Sequence, residues 1–456
     1  MKKLIEYLKN CWKIEDLRER ILITILFVAI YRFGSFVVLP GIDPNALNNL
    51  QQQTAGGLMS LLDMFSGGAF SNASIFALGI MPYISASIIL QLMTPVLPPL
   101  ERMMREGESG HQKYNQIMRY VTLAICIIQG VMFASAMSNP RRIGLSAGDI
   151  PVVINPGFWF VISTVITLTA GAMLVMWLGE MITEHGIGNG ASLIITVNII
   201  ARLPLALDSL YKQVFGGAAT GDNQLTVIHL LILLVMFFLV CAATVALTQA
   251  LRRVPIRYAA RRISSIGGTT AAQTSYLPLR VNYSGVMPII FAGAILSFPM
   301  MLMRYLPANW TIVKWIAPMI AYGSVGYIIL YGLMILLFSF FWVANQFNPI
   351  KISDDLQKNG GYIPGIRPGN DTAAFLDHAM TRITLAGAVF LTVLAVLPML
   401  LSRGMGIQPL IAQFFGGTSL LIIVGVSLDT MRQIEGYLLS RHYDGFMEKG
   451  HLRSRR

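Results

Sequence analysis

Apolar residues gather along this chain into ten stretches, near 21–39, 73–93, 120–138, 158–179, 190–206, 225–248, 285–303, 318–344, 383–402 and 409–428. Each is roughly as long as the ~20 apolar residues that a bilayer-crossing helix needs, and almost no charge interrupts them. The pattern predicts an all-α polytopic membrane protein of ten spans, with no separate water-soluble domain. The longest polar connections, 249–284 and 345–378, read as hairpins or short helical extensions of the spans beside them.

Ten spans divide at the polar segment 207–224 into two blocks of five, 1–206 and 225–428, followed by a basic tail at 429–456. An odd-numbered block that recurs must be inserted upside down relative to its copy, the arrangement of many transporters with a pathway between the halves. The sequence carries no visible repeat, so this expectation is topological.

Composition changes the picture little: 55% of residues are hydrophobic and 12% charged. The distribution of charge says more. Of the 34 Lys and Arg, 24 fall in segments on the side of the N-terminus and six on the other; Arg32, Arg119, Arg202 and Arg382 lie in or at the edges of spans. Positive residues in short loops stay cytoplasmic, which predicts both termini in the cytoplasm. Most of the net charge of +12 is this bias. The charged start, MKKLIEYLKNCWKIEDLRER, lacks the short apolar core and small-residue cleavage site of a removable signal peptide. Cys11, Cys126 and Cys241 have no metal or redox spacing and read as packing residues.

Between the first two spans, residues 57–68 (GLMSLLDMFSGG) are apolar yet too short to cross a bilayer. Leu58, Leu61, Leu62 and Phe65 recur at helical spacing, so a one-sided helix of about three turns is expected. Spacing alone fits two placements equally: a half-helix folded into a protein-lined cavity, or an interfacial helix on the outer surface.

From there the chain reads DMFSGGAFSNASIFALGIMPYISASIILQL at 63–92, GESG at 107–110, INPGF at 154–158, MWLGEMITEHGIGNG at 176–190, YIPGIRPG at 362–369 and FGGTSLLIIVGV at 415–426. In these residues, in their order and at their spacing, it resembles the SecY family, the channel subunit of the bacterial protein translocase. Shared Leu and Ile runs are common among membrane proteins; shared Gly, Pro, Asn and charged residues at fixed offsets are not.

That resemblance implies a passive channel in the bacterial cytoplasmic membrane, which threads unfolded secretory preproteins outward and releases nascent membrane proteins sideways into lipid. It implies a plug at about 57–70, carrying Leu58, Leu61, Leu62 and Phe65, and a mid-membrane ring of Ile80, Ile84, Ile195, Ile290 and Ile422. Ala191 stands where some relatives have a further Ile. A lateral gate is implied between the second span, with Ser87 and Gln91, and the seventh and eighth spans, with the segment Ser284–Ser297 near the exit. The implied partners are the small subunits SecE and SecG, the ATPase SecA, the ribosome and anionic lipids. Arg252, Arg253, Arg257, Arg261 and Arg262 form a cationic arm, and Arg367 sits between Pro364 and Pro368 in a rigid turn; these are the expected docking residues. A collar of isoleucines makes physical sense, because a narrow constriction without hydrogen-bonding groups dewets when empty.

Nothing in the sequence supports catalysis or calls for a cofactor. There is no phosphate-binding glycine loop followed by Lys, and the six histidines show no metal-ligand pairing. A secondary transporter is the competing class. Ion-coupled transporters place ionisable groups near the midplane, and here Arg32 is the main one inside a span, where it must pair or snorkel.

Overall fold

The computed structural model of this protein describes residues 14–43, 63, 65–138, 153–215, 227–258, 274–305, 311–321, 323–405, 407, 409–416 and 418–449. The ten expected spans correspond to α1 (Glu15–Gly34), α2 (Met81–Met93), α4 (Glu108–Ser138), α5 (Phe158–His185), α6 (Gly190–Phe215), α7 (Val227–Gln249), α8 (Met287–Tyr305), α10 (Val325–Gln346), α12 (Asn370–Met405) and α14 (Thr418–Lys449). Between them lie the short helices α3 (Pro98–Arg105), α9 (Thr311–Ile320), α11 (Pro349–Lys358) and α13 (Pro409–Gly416). The strands β1 (Leu251–Tyr258), β2 (Thr274–Arg280) and β3 (Gly361–Tyr362) complete the order.

Several spans differ from a plain helix, each for a local reason. The second, expected over 73–93, becomes helical only at Met81. Thirteen helical residues cover about 20 Å, short of the ~30 Å hydrocarbon core, so residues 67–80 cross the remainder as successive turns. Gly67, Gly68, Ala73 and Gly79 adopt positive φ there, which no helix continues through. Such backbone survives at membrane depth only when wrapped in protein. Ala69, Ala73, Phe76, Ala77 and Leu78 are indeed buried. α1 stops at Gly34 because the chain turns into extended pairing, with Leu39 N donating to Ala73 O at 2.9 Å and Ile75 N to Val37 O at 3.0 Å. The tenth span begins at Thr418 rather than 409, after α13, and runs on through much of the basic tail. α6 likewise continues to Phe215, into the expected hinge.

The two halves repeat their packing. In the first, α2 packs on α4, α4 on α5 and α5 on α6; in the second, α8 packs on α10, α10 on α12 and α12 on α14. Small residues let these helices close: a side chain at Gly190 would collide with the carbonyl of Gly179, and one at Gly171 with that of Ile75. The halves then meet along two edges, α2 against α8 and α6 against α13 and α14. A single apolar core links them across this junction.

Within the 249–284 segment β1 and β2 pair antiparallel, with Val254 opposite Leu277. β3, from the next loop, adds to β1 through Arg257–Tyr362 and Tyr258–Gly361, giving the order β2-β1-β3. Alternation sends Val254 and Ile256 inward and Arg253 and Arg257 outward. Val254, Leu279, Phe347, Ile363, Leu376 and Met380 build a small core that seats the sheet on α10 and α12.

Candidate functional site

The junction between the halves contains three layers, and one helical stripe runs through each wall. On α2 the residues Ile80, Ile84, Ser87 and Gln91 stand at i, i+4, i+7 and i+11, hence on one face. Ala191, Ile195, Asn198 and Arg202 repeat that spacing on α6, as do Ile422, Val426, Asp429 and Gln433 on α14. Each stripe combines isoleucine with polar residues on one face.

The middle layer is the isoleucines. Ile80, Ile84, Ile195, Ile290 and Ile422, from α2, α6, α8 and α14, are each at most 6% exposed and belong to the apolar core that the two halves share. That excludes a lipid-facing placement for all five. Ile80 caps the N-terminus of α2, with Pro82 in the first turn, where the missing N–H costs nothing.

On one side of the isoleucines, toward the ends of the helices that carry Gln91 and Gln433, the walls open into two adjoining cavities. One, of about 300 Å³, is lined by Ile84, Ile195 and Ile290 with Ser87, Gln91 and Glu180. Gln91 Nε2 donates to Ser87 Oγ at 3.0 Å, within α2 and facing Met287 and Phe291 of α8 across the cavity. Ala191 also lines it, so the wall there is small and partly open. Arg119 and Glu180 pair at 2.7 Å at its edge. The second cavity, of about 450 Å³, takes its lining from α14 (Val426, Asp429, Gln433) and from Arg280, Ser284 and Met287. The GIGNG turn between α5 and α6 is held from both halves, with Gly188 N donating to Gln433 Oε1 at 2.8 Å and Ile187 N to Thr24 Oγ1 at 3.1 Å.

On the opposite side of the isoleucines sits the segment 63–71. Phe65 is buried in the shared core, which places this end of the half-helix inside the protein rather than on the outer surface. Leu58, Leu61 and Leu62 lie outside the described residues, as do Arg261 and Arg262 of the cationic arm. Arg32 finds its partner here: Nη1 donates to Gly67 O at 3.0 Å. Asn198 Nδ2 donates to Phe65 O at 2.7 Å and to Tyr31 Oη at 2.8 Å, while Arg202 forms an ion pair with Asp63 and donates to Ser71 Oγ at 2.7 Å. The sequence reading gave Asn198, Arg202 and Asp63 no role. The signal was present, since an Asn and an Arg four residues apart share one face of an apolar helix.

Arg252, Arg253 and Arg257 are exposed along β1. Arg367 is exposed at a turn closed by Ile366 N donating to Ile363 O at 3.1 Å, and its carbonyl accepts from Thr372 Oγ1 at 2.8 Å. The backbone is therefore fixed while the guanidinium stays outside the fold. β3 brings this turn beside the arm.

The SecY family model matches residues 74–431 of this chain. The chain belongs to the SecY family. It is 42% identical over 448 residues to the protein translocase subunit SecY of Escherichia coli K12, covering 96% of this chain and 95% of that one. The SecY subunit of Chlamydia muridarum is 40% identical over 466 residues, covering 98% and 99%. A solved protein-conducting channel superposes with a TM-score of 0.61 at 16% identity, over 93% of both chains. The channel of the canine ribosome-channel complex from the endoplasmic reticulum gives 0.61 at 15%, again over 93% of each. At those identities the structures speak for the fold, which is the ten-helix, two-half channel architecture; the sequence relatives carry the family.

Proposed function

We propose that this chain is the passive, protein-conducting pore of a translocase, and that the three layers are its vestibule, seal and plug. The observation that supports this most is the isoleucine layer between the halves, with a cavity on the cytoplasmic side and a folded-in chain segment on the other. An uncharged collar binds no substrate strongly and sheds water when empty, so chains of any sequence pass while ions do not. Ile80, Ile84, Ile195, Ile290 and Ile422 are the seal, and the segment beginning near 57 and ending near 70 is the plug. α2, with Ser87 and Gln91, and α8 are the two sides of a gate toward lipid. On the α2 side the cavity between them is lined by Ser87 and Gln91, polar residues that hold less tightly than a leucine seam.

The transporter alternative fares worse. The buried charges of Arg32, Arg202 and Asp63 lie beyond the isoleucines, engaged with the plug segment, and do not face the cytoplasmic cavities. The driving force then comes from outside the chain. Arg252, Arg253, Arg257 and Arg367 offer an exposed cationic platform for a motor such as SecA or for the polyanionic ribosome, and basic loops also suit anionic lipid. SecE and SecG would cover lipid-level surfaces of the bundle. The membrane is the bacterial cytoplasmic membrane, with both termini inside.

The test is a secretory chain stalled in transit, carrying a photo-crosslinker mid-chain. Crosslinks to Ile80 and Ile422 are expected; crosslinks confined to residues on the outside of the spans, such as Leu234, would sink the proposal.

A further inference from the structure

The outer face of the isoleucine layer carries a polar cluster that the layer does not need. Helix geometry puts Asn198 and Arg202 about 5 and 10 Å outward of Ile195 along α6. Tyr31 and Arg32, at the outer end of α1, face the same segment. What these groups hold is specific. Arg202 takes both ends of one stretch, Asp63 and Ser71, and Ser71 N in turn donates to Asp63 Oδ1 at 2.8 Å. Asn198 and Arg32 grip backbone carbonyls, those of Phe65 and Gly67. Gly67 fits at φ +65°, where an added Cβ would lie 2.6 Å from Asn198 Oδ1 and 2.8 Å from Arg32 Nη1.

Each of these groups is costly to bury alone, and the segment 63–71 supplies both partners of Arg202 and part of the compensation of Asn198 and Arg32, which also keep Tyr31 Oη and the Phe36 ring respectively. Satisfaction is incomplete: Asn198 Oδ1 and Arg202 Nε are buried with no partner among the described residues. An unsatisfied polar atom lowers the stability of the state that buries it. The arrangement is thus a hold that can be released, unlike a fully satisfied network.

We propose that Arg202, Asn198 and Arg32 form a latch on the plug segment, with the Asp63–Arg202 ion pair as its charged bolt, and that this latch sets the resting balance between sealed and open pathway. The inference rests on the plug reading above. It assigns the balance to positioning residues on α1 and α6, outside the isoleucine ring.

The experiment uses the complete channel in sealed vesicles and reads resting ion flux. Asp63→Ala and Arg202→Ala should each raise it roughly tenfold, the factor expected for one broken buried pair. The double variant should leak no more than either single one. The exchange Asp63→Arg with Arg202→Asp should return flux most of the way to the original. Unchanged flux in the single variants, or effects that multiply in the double one, would overturn the latch. A deletion of 57–68 runs alongside. A leaking deletion beside tight latch variants removes the latch and keeps the plug; a tight deletion removes the plug reading and the latch with it. Should Arg202→Ala fail to accumulate, Arg202→Lys and Gly67→Ala decide. Gly67→Ala must leak through its clash with Asn198, and Arg202→Lys, which keeps the charge, must leak less than Gly67→Ala.

Discussion

An isoleucine inside a membrane helix ordinarily packs against lipid or a neighbouring helix, and only position makes it a seal. Ile80, Ile84 and Ile422 come from two helices in different halves and are buried in the core the halves share, and under the proposed function removing their side chains opens the seal. Replacing all three with Gly should raise resting ion conductance of reconstituted membranes severalfold and let secretory chains with defective signals through. Conductance equal to that of the original would count against the seal. What singles these positions out in the sequence is the motifs GIMPYI and GGTSLLI, where Gly, Pro and Thr fix the register. Ile alone would have said nothing. The latch residues escaped because their pairing is not local. Asn198 and Phe65 are 133 positions apart, and a charge counted at the edge of a span looks like a snorkelling one until its partner is seen.

Helices were the easiest elements to foresee, because ~20 uncharged residues leave a chain few alternatives in lipid. Their ends were harder. The outer part of the second span reads as apolar as any helix, but Gly67, Gly68 and Gly79 at positive φ convert it to turns, and hydropathy is blind to that. The sheet was hidden for another reason: β1 carries Pro255 and three arginines, and its pairing with β3 joins loops more than a hundred residues apart. Close helix contacts are the most fragile of the elements. Gly190 touches the carbonyl of Gly179 where α5 and α6 turn back on each other. Gly190→Val should cost about 1–3 kcal/mol through overpacking, seen as a lower Tm of the detergent-solubilised protein. Gly293, with open space around it, should tolerate Ala with little change.

The whole molecule is two five-helix bodies that touch on two edges. Under the proposed function, work reaches it through the loops that carry β1 and β3, and Arg367, exposed beside them, is the residue proposed to receive it. Arg367→Glu should abolish most motor-driven export while the protein itself still inserts and accumulates, measured by secretion of a reporter against channel abundance; normal export would end the coupling role. The β2-β1-β3 sheet gives that position its significance. By stitching the two loops together and anchoring them on α10 and α12, it makes them a single handle welded to one body only. Under the proposed function, a pull on either loop is therefore delivered to the C-terminal body alone, and through it to the seam with the other half.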